Sequence, residues 1–384
     1  MTQLAASTRP SPTEAEAHFY CRMFRHFGEK QVGDSPLYQQ ICVGVAEHPD
    51  VASILHDAPP TQRIPNILLA AVHYLLLRGA DHELRDWYPS ASVSAASSTP
   101  TGANSTDPAS AFVDFCRTFR SQVGDVVGAR ATQTNEVGRS AGLLAALAWI
   151  GESPVGLLEL GASGGLNLFA DRYGCDYGSG YLGDRGSAVQ LSCELRGARP
   201  PALDGRGTVP TVAWRRGLDQ SPIRVTDDAE AQWLLACLWP DQPERFARLQ
   251  AAIGIARTDP PVLLQGSIPD DVPALLAEVP ANLHLVVVTT WVLSYVPPAG
   301  REVLRAHLDT LARTRDLTWI AAEEPSVLGL RVDGIDPLST ALAALTYRGG
   351  VRRETLLGTM HPHGRWLDWR ADADPMPGAL ASAE

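Results

Sequence analysis

The sequence is short of positive charge: 32 Lys and Arg stand against 43 Asp and Glu, giving a formal net charge of −11 and a pI near 5.4. That balance argues against a general affinity for phosphate backbones, which needs clustered cations. Only RGAR (196–199) and WRRG (214–217) keep a small anionic ligand in play. Long apolar runs are also missing: none approaches the length that spans a bilayer, and residues 1–20 lack the apolar core of a secretion signal. Paired cysteine spacing is absent. Cys21, Cys42, Cys116, Cys175, Cys193 and Cys237 are scattered, which signals neither a disulfide framework nor a cysteine zinc site. No internal repeat is visible. Together these absences predict a cytoplasmic protein with reduced thiols, and they exclude nucleic acid and membrane as expected partners.

What remains is ordinary globular composition, 45% hydrophobic and 20% charged, over 384 residues, enough for two domains with a large core. Residues 14–85 carry helical periodicity. EAEAHFYCRMFRHF repeats apolar residues every three or four positions, and PNILLAAVHYLLLRG is apolar nearly all round, as a buried helix of a bundle would be. Residues 89–110, PSASVSAASSTPTGANSTDPAS, have almost no large side chain and predict a mobile loop. Helical patterns return in SAFVDFCRTFRSQVGDVV and AGLLAALAWIG.

From Pro154 the pattern changes. VGLLELG, VLLQGS, LHLVVVTTW and LTWIAAEE read as strands, with amphipathic VPALLAEVP and REVLRAHLDTLART between the last three. Strands alternating with helices predict a mainly parallel sheet covered on both faces. The closing segment, 342–370, suggests a helix and a final pair of strands.

The glycine-rich turn in LELGASGGLNLFADRY (158–173) follows a strand and precedes a helix-compatible run expected to start near Leu166. At the carboxyl edge of a parallel sheet, such a turn lies where these folds bind ligands, and glycines allow close approach and positive φ. Its spacing, Gly161-x-x-Gly164-Gly165 after Glu159, is not the Gly-x-Gly-x-x-Gly of dinucleotide dehydrogenases. It resembles the first motif of class I S-adenosylmethionine-dependent methyltransferases. RRGLDQSPI resembles that family's second strand, PPVLLQGSIPDDVPALL its third, and LHLVVVTTWVLSYVP its fourth. SPLYQQI, PNILLAAVHYLL, TQTNEVGRSAGLL, CELRG, WRRGLDQSPI and HPHGRWLDW together resemble an uncharacterised bacterial family known only as a domain of unknown function, over roughly residues 20–370.

The resemblance implies an α/β fold, a Rossmann-like methyltransferase sheet in 151–373 with an N-terminal helical domain, 14–150, as lid and substrate domain. It implies S-adenosylmethionine as cofactor, with its loss as the alternative. Glu159, Gly161, Ser163, Gly164, Gly165 and Asn167 would surround the amino-acid end of that cofactor. Asp219 would accept both ribose hydroxyls, with Glu194 as the rival acid. Ser267 stands where many relatives place an acid for the adenine. Thr289, Thr290, Trp291, Ser294 and Tyr295 would wall the reacting end.

Two polar clusters lie outside the turn. TQTNEVGRSA holds Gln133, Asn135, Glu136 and Arg139, more polar groups than a helix cap needs. HPHGRW offers His361 and His363, whose spacing of two would set both on one side of a strand. No acid or cysteine partner stands at metal-ligand spacing, so no metal is expected. Glu136, His361 and His363 are the candidate catalytic groups. Asn66 and His73, on the apolar helix, join Gln133, Asn135, Arg139, Thr290, Trp291 and Tyr295 as candidate substrate contacts, although a histidine on such a helix is commonly a core group.

The leading functional expectation is methyl transfer to a small metabolite. One alternative keeps the fold without the methyl donor, coupling or rearranging a small polar, amino acid-like substrate. Another is a non-catalytic ligand sensor. A homodimer is left open.

Overall fold

Val155–Leu160 is buried at all six positions and apolar at all but one, the pattern of a central parallel strand covered on both faces. In the computed structural model, which describes residues 11–92, 107–152, 154–329, 336 and 338–370, this strand is β1. The others follow in chain order: β2 (Gly174–Asp176), β3 (Tyr181–Gly183), β4 (Gln190–Ser192), β5 (Glu194–Gly197), β6 (Val212–Asp219), β7 (Val262–Gln265), β8 (His284–Thr290), β9 (Leu317–Glu323), β10 (Thr340–Arg348), β11 (Val351–Met360) and β12 (Trp366–Trp369).

The main sheet runs β5-β12-β11-β10-β9-β8-β1-β6-β7. β7, β6, β1, β8 and β9 are parallel, and the chain reverses its direction of travel across the sheet between β1 and β8. That reversal is the switch point where open α/β sheets leave a crevice at their carboxyl ends. β10, β11 and β12 continue antiparallel from β9, and β5 adds parallel to β12. The fold is therefore α/β with a large, mostly parallel central sheet. The strands expected from VGLLELG, VLLQGS, LHLVVVTTW and LTWIAAEE are present as β1, β7, β8 and β9.

One sheet face presents Leu158, Leu160, Leu285, Val287, Leu317 and Trp319 to a core that includes Leu275 and Leu276 of the helix Val272–Glu278 and Leu304 and Leu308 of the helix Pro298–Leu311. Burying each such side chain contributes about 2 kcal/mol. The helix Ser140–Ile150, buried from Ser140 to Ala148, packs within the same unit, with Gly142 against Met360 of β11.

The chain forms two compact units, Met1–Thr134 with Asp228–Ala247, and Asn135–Asp227 with Arg248–Glu384. Residues 135–150, grouped by sequence with the helical part, belong to the unit that holds the sheet. The first unit contains the helices Glu14–Lys30, Pro36–Val45, Pro65–Leu77, Pro108–Thr118, Arg120–Ala129 and Asp228–Ala236. Asp241 ties the 228–247 segment into it, accepting the Ser35 hydroxyl at 2.7 Å and the Leu37 N–H at 3.2 Å.

Three local expectations need correction. The glycine turn is followed not by an α-helix but by a 3-10 segment, Leu166–Arg172, kinked at Phe169. Arg215 of β6 holds it there, donating to the Leu168 carbonyl at 2.8 Å and pairing with Asp171 at 3.1 Å. The helix expected in 342–370 is strand β10, whose small residues suit a strand buried against β9. Within the expected loop 89–110, residues 93–106 lie outside the described residues, and a helix already begins at Pro108 because Asp107 accepts the Ala109 and Ser110 N–H groups.

Gly161 ends β1 with φ +76°, and a Cβ there would collide with the side chain of Val292, just beyond β8. Gly161→Ala should lower stability by about 3 kcal/mol, combining an unfavourable φ with overpacking. Adding Val292→Ala should recover the overpacking part, so the double variant is less destabilised than the sum of the singles in chemical denaturation. Strict additivity would show that the two side chains do not meet.

Candidate functional site

β1 delivers Glu159 to the carboxyl edge of the sheet, 1% exposed. Oε1 accepts the Asn167 side-chain amide at 3.1 Å, and Asn167 in turn accepts the Ser140 hydroxyl at 3.2 Å. Oε2 has no hydrogen-bond partner among the described residues, and neither has the hydroxyl of Ser163, 3% exposed, four residues on. Burial pushes the Glu159 carboxyl up to about 8; Asp219 adds to the rise, while Asn167 and Arg139 oppose it. At neutral pH this acid holds its proton.

Around it the turn is fixed by backbone capture. The Ser163 N–H donates to Asp219 Oδ2 at 2.8 Å and the Ser221 N–H to Oδ1 at 2.8 Å, so the end of β6 grips the turn after β1. Leu166 N–H donates to Asn135 Oδ1 at 3.1 Å. Gly164 and Gly165 are buried within the same turn.

Arg139, 6% exposed, lies over the end of β8. Its Nε donates to the Pro362 carbonyl at 3.0 Å, its Nη1 makes a long 3.5 Å contact with the Thr290 carbonyl, and its guanidinium sits 5.7 Å from the Trp291 ring centroid. Trp291 holds φ +54°, an uncommon conformation for a bulky residue, secured by its indole N–H on Thr340 at 2.8 Å and its backbone N–H on the Ala322 carbonyl. Thr289, fully buried, accepts the Trp319 indole N–H at 3.1 Å, and Thr290 is buried beside it.

Glu323, at the end of β9, was not singled out by sequence. It is 1% exposed and accepts the Val292 and Leu293 N–H groups at 3.3 and 3.2 Å. Burial pushes its carboxyl up to about 7 against those hydrogen bonds and against Thr289 and Arg139. The available signal was an acid ending an otherwise apolar strand at the same edge as Glu159. Arg248 was missed as well: it lies 3.6 Å from Glu136, far from it in sequence.

Glu136, 3% exposed, caps its own turn by accepting the Gly138 N–H at 2.9 Å, and its Oε2 lies 3.2 Å from His363 Nδ1. His361 and His363 stand in the turn between β11 and β12, not on one side of a strand as expected. The His363 N–H donates to His361 Nδ1 at 3.0 Å.

Other sequence candidates fall elsewhere. Ser267 is committed locally: its N–H donates to Asp271 at 2.8 Å and its hydroxyl faces Asp270 and Asp271. Tyr295 is 84% exposed, so it walls nothing within its own unit. Ser294 is exposed too, and Glu194 sits on the outermost strand, β5, paired with Arg196. Asn66, His73 and Gln133 belong to the first unit. His73 is a core group there, fully buried, with Nδ1 on the Ala236 and Leu238 carbonyls and Nε2 on Ser90, which leaves no ring nitrogen for a substrate. Burial lowers it to about 4.

Among the described residues no group of three or more His, Cys, Asp or Glu is placed to hold a metal ion, and no helix is long and apolar enough to cross a membrane. The site thus defines an α/β protein whose sheet carries buried acids and a pinned arginine along its carboxyl edge at a topological switch point. A family model matches residues 21–369, and the chain belongs to that family, described as "Uncharacterized protein conserved in bacteria (DUF2332)". No curated protein and no solved structure matches the chain.

The sign of the pH dependence follows from Glu159. Between the ordinary carboxyl value of 4.5 and about 8 the folded state keeps a proton that the unfolded state has lost, so stability falls as pH rises through that window. Glu159→Gln should flatten the fall, and denaturant midpoints taken from pH 5 to 8 check it. A parallel slope in the variant would show that Glu159 ionises normally.

Proposed function

We propose that the carboxyl edge of the sheet binds S-adenosylmethionine and directs its methyl group to a small metabolite, on a Rossmann-like methyltransferase fold. The observation that carries this reading is the pair of buried oxygens without partners, Glu159 Oε2 and Ser163 Oγ, on the two sides of the Gly161 turn. Each such group costs about 1–3 kcal/mol while unsatisfied, and a ligand that donates hydrogen bonds recovers it.

The residues fit the cofactor at two of its three parts. An ammonium facing Glu159 would draw the carboxyl to its charged form and expel its proton. Asp219 has one backbone N–H on each oxygen and keeps one further acceptor position on each, enough for a vicinal diol. Ser267, committed to Asp270 and Asp271, departs from the pattern at the adenine part. When bound, the cofactor supplies an electrophilic sulfonium methyl whose carbon–sulfur pair leaves on sulfur as a thioether. The chain supplies position: methyl transfer gains chiefly from in-line placement of the nucleophile.

The commitment of Ser267 to Asp270 and Asp271 favours one second reading. There the same edge works without the methyl donor, and Asn135, Glu136 and Arg139 grip a polar, amino acid-like substrate that is coupled or rearranged.

Isothermal titration with S-adenosylmethionine and S-adenosylhomocysteine separates the two. The first reading expects micromolar binding weakened at least about tenfold, ~1.4 kcal/mol, in both Glu159→Ala and Asp219→Ala. Folded protein that gives no heat with either ligand overturns it in favour of the second.

A further inference from the structure

The turn His361–Arg365 is laid directly on the turn Val137–Arg139. A Cβ on Gly138 would collide with the His363 carbonyl, and one on Gly364 with the Gly138 carbonyl, so the two backbones touch where only glycine fits. Arg139 Nε on the Pro362 carbonyl closes the contact from one side, and the His363 N–H on His361 Nδ1 stiffens the turn from within. This packing sets His363 Nδ1 3.2 Å from Glu136 Oε2. The carboxylate is 3% exposed, whereas the imidazole side chain is 28% exposed. One short segment therefore serves two places. Asn135 and Arg139 reach the glycine turn at Leu166 and the end of β8 at Thr290, while Glu136 between them meets the histidine turn.

We propose that Glu136 and His363 form a carboxylate–imidazole pair that takes a proton from the acceptor, which restricts the acceptor to an O–H or N–H nucleophile. The proposal rests on the carboxyl edge being a reaction site, with the sulfonium methyl as the electrophile. The carboxylate stands 3.2 Å from Nδ1 outside hydrogen-bond alignment, so it acts on the ring through its charge, and Nε2 is the atom assigned to take the proton. In the step, the acceptor's O–H or N–H bond breaks and the proton passes to Nε2. The electron pair stays on the acceptor and is the one that attacks the electrophilic carbon. The imidazolium is balanced by Glu136 and then yields its proton to water. Among the described residues, charged groups facing the pair include Arg248, 3.6 Å from Glu136 Oε1, His361, with its ring centroid 5.5 Å from that of His363, and Arg139, through Pro362. Arg248 shares the carboxylate and so tempers its hold on the imidazolium. Glu136 is a positioning residue; His363 is the group that meets the acceptor.

The test follows histidine ring resonances of the full chain against pH, with His363→Asn to assign the signal. Glu136→Gln should lower the His363 titration midpoint by about 1 or more, and Arg248→Met should raise it. A midpoint unmoved by both changes overturns the pair, and the opposed directions keep the test decisive if one variant does not fold. A second readout addresses the role. With a methyl-labelled donor and a panel of phenols, alcohols and primary amines beside carboxylates and thioethers, transfer should be confined to the first group. It should fall about a hundredfold in His363→Asn with donor affinity unchanged by calorimetry. Transfer to a carboxylate or thioether that survives His363→Asn overturns the proposal. Failure of the donor to bind removes the methyl-donor reading alone, because the coupled titration still decides the pair.

Discussion

The carboxyl edge is organised by one constraint, the burial of Glu159 inside the central strand of a parallel sheet. A carboxylate out of water is costly unless it is neutralised, paired or fully hydrogen-bonded. Here one oxygen is satisfied by Asn167, which is itself held by Ser140, and the other is left over. The surrounding structure answers that cost: Asp219 immobilises the turn next door, Asn135 fastens its far side, and Arg139 brings a fixed positive charge within range. Glu323 repeats the arrangement at the end of β9, with backbone donors in place of the amide. The edge thus carries two acids whose protonation is poised near neutrality, both coupled to the same arginine.

Much of this was legible in the sequence because the parallel strands are short, continuous apolar runs and the turn spends its glycines in one place. Glu159 and Asn167 of the turn are joined by a hydrogen bond, and Asn135, from a cluster the sequence set apart from the turn, reaches it at Leu166. The losses have physical causes. LAALTYR in β10 reads as helix because alanine and leucine favour that state intrinsically, and only pairing with β9 and β11 overrides them. The 3-10 segment at Leu166–Arg172 looked helical because its restraint, Arg215, lies on another strand. Arg248 joins the site through tertiary packing, with no local spacing to announce it, whereas Glu323 carried a signal in the acid that ends its apolar strand.

The cation set has its own consequence. Lys30 is the sole lysine of the sequence, and it lies exposed in the last turn of the helix Glu14–Lys30. Every other fixed positive side chain is an arginine, which does not deprotonate in proteins. Within the unit that holds the sheet only carboxyls and imidazoles can therefore change charge near neutral pH, and an imine formed on a lysine of that unit is excluded.

The outermost strand also ties the order of synthesis to the order of folding. Among the described residues β5 finds its sheet partner only in β12, so residues made midway along the chain wait for Trp366–Trp369 to be translated. Strand pairings of such long sequence separation form slowly. On the ribosome, the parallel half from β7 to β9 can assemble early, while β5 stays a loose hem, closed only when the histidine turn between β11 and β12 has already been made.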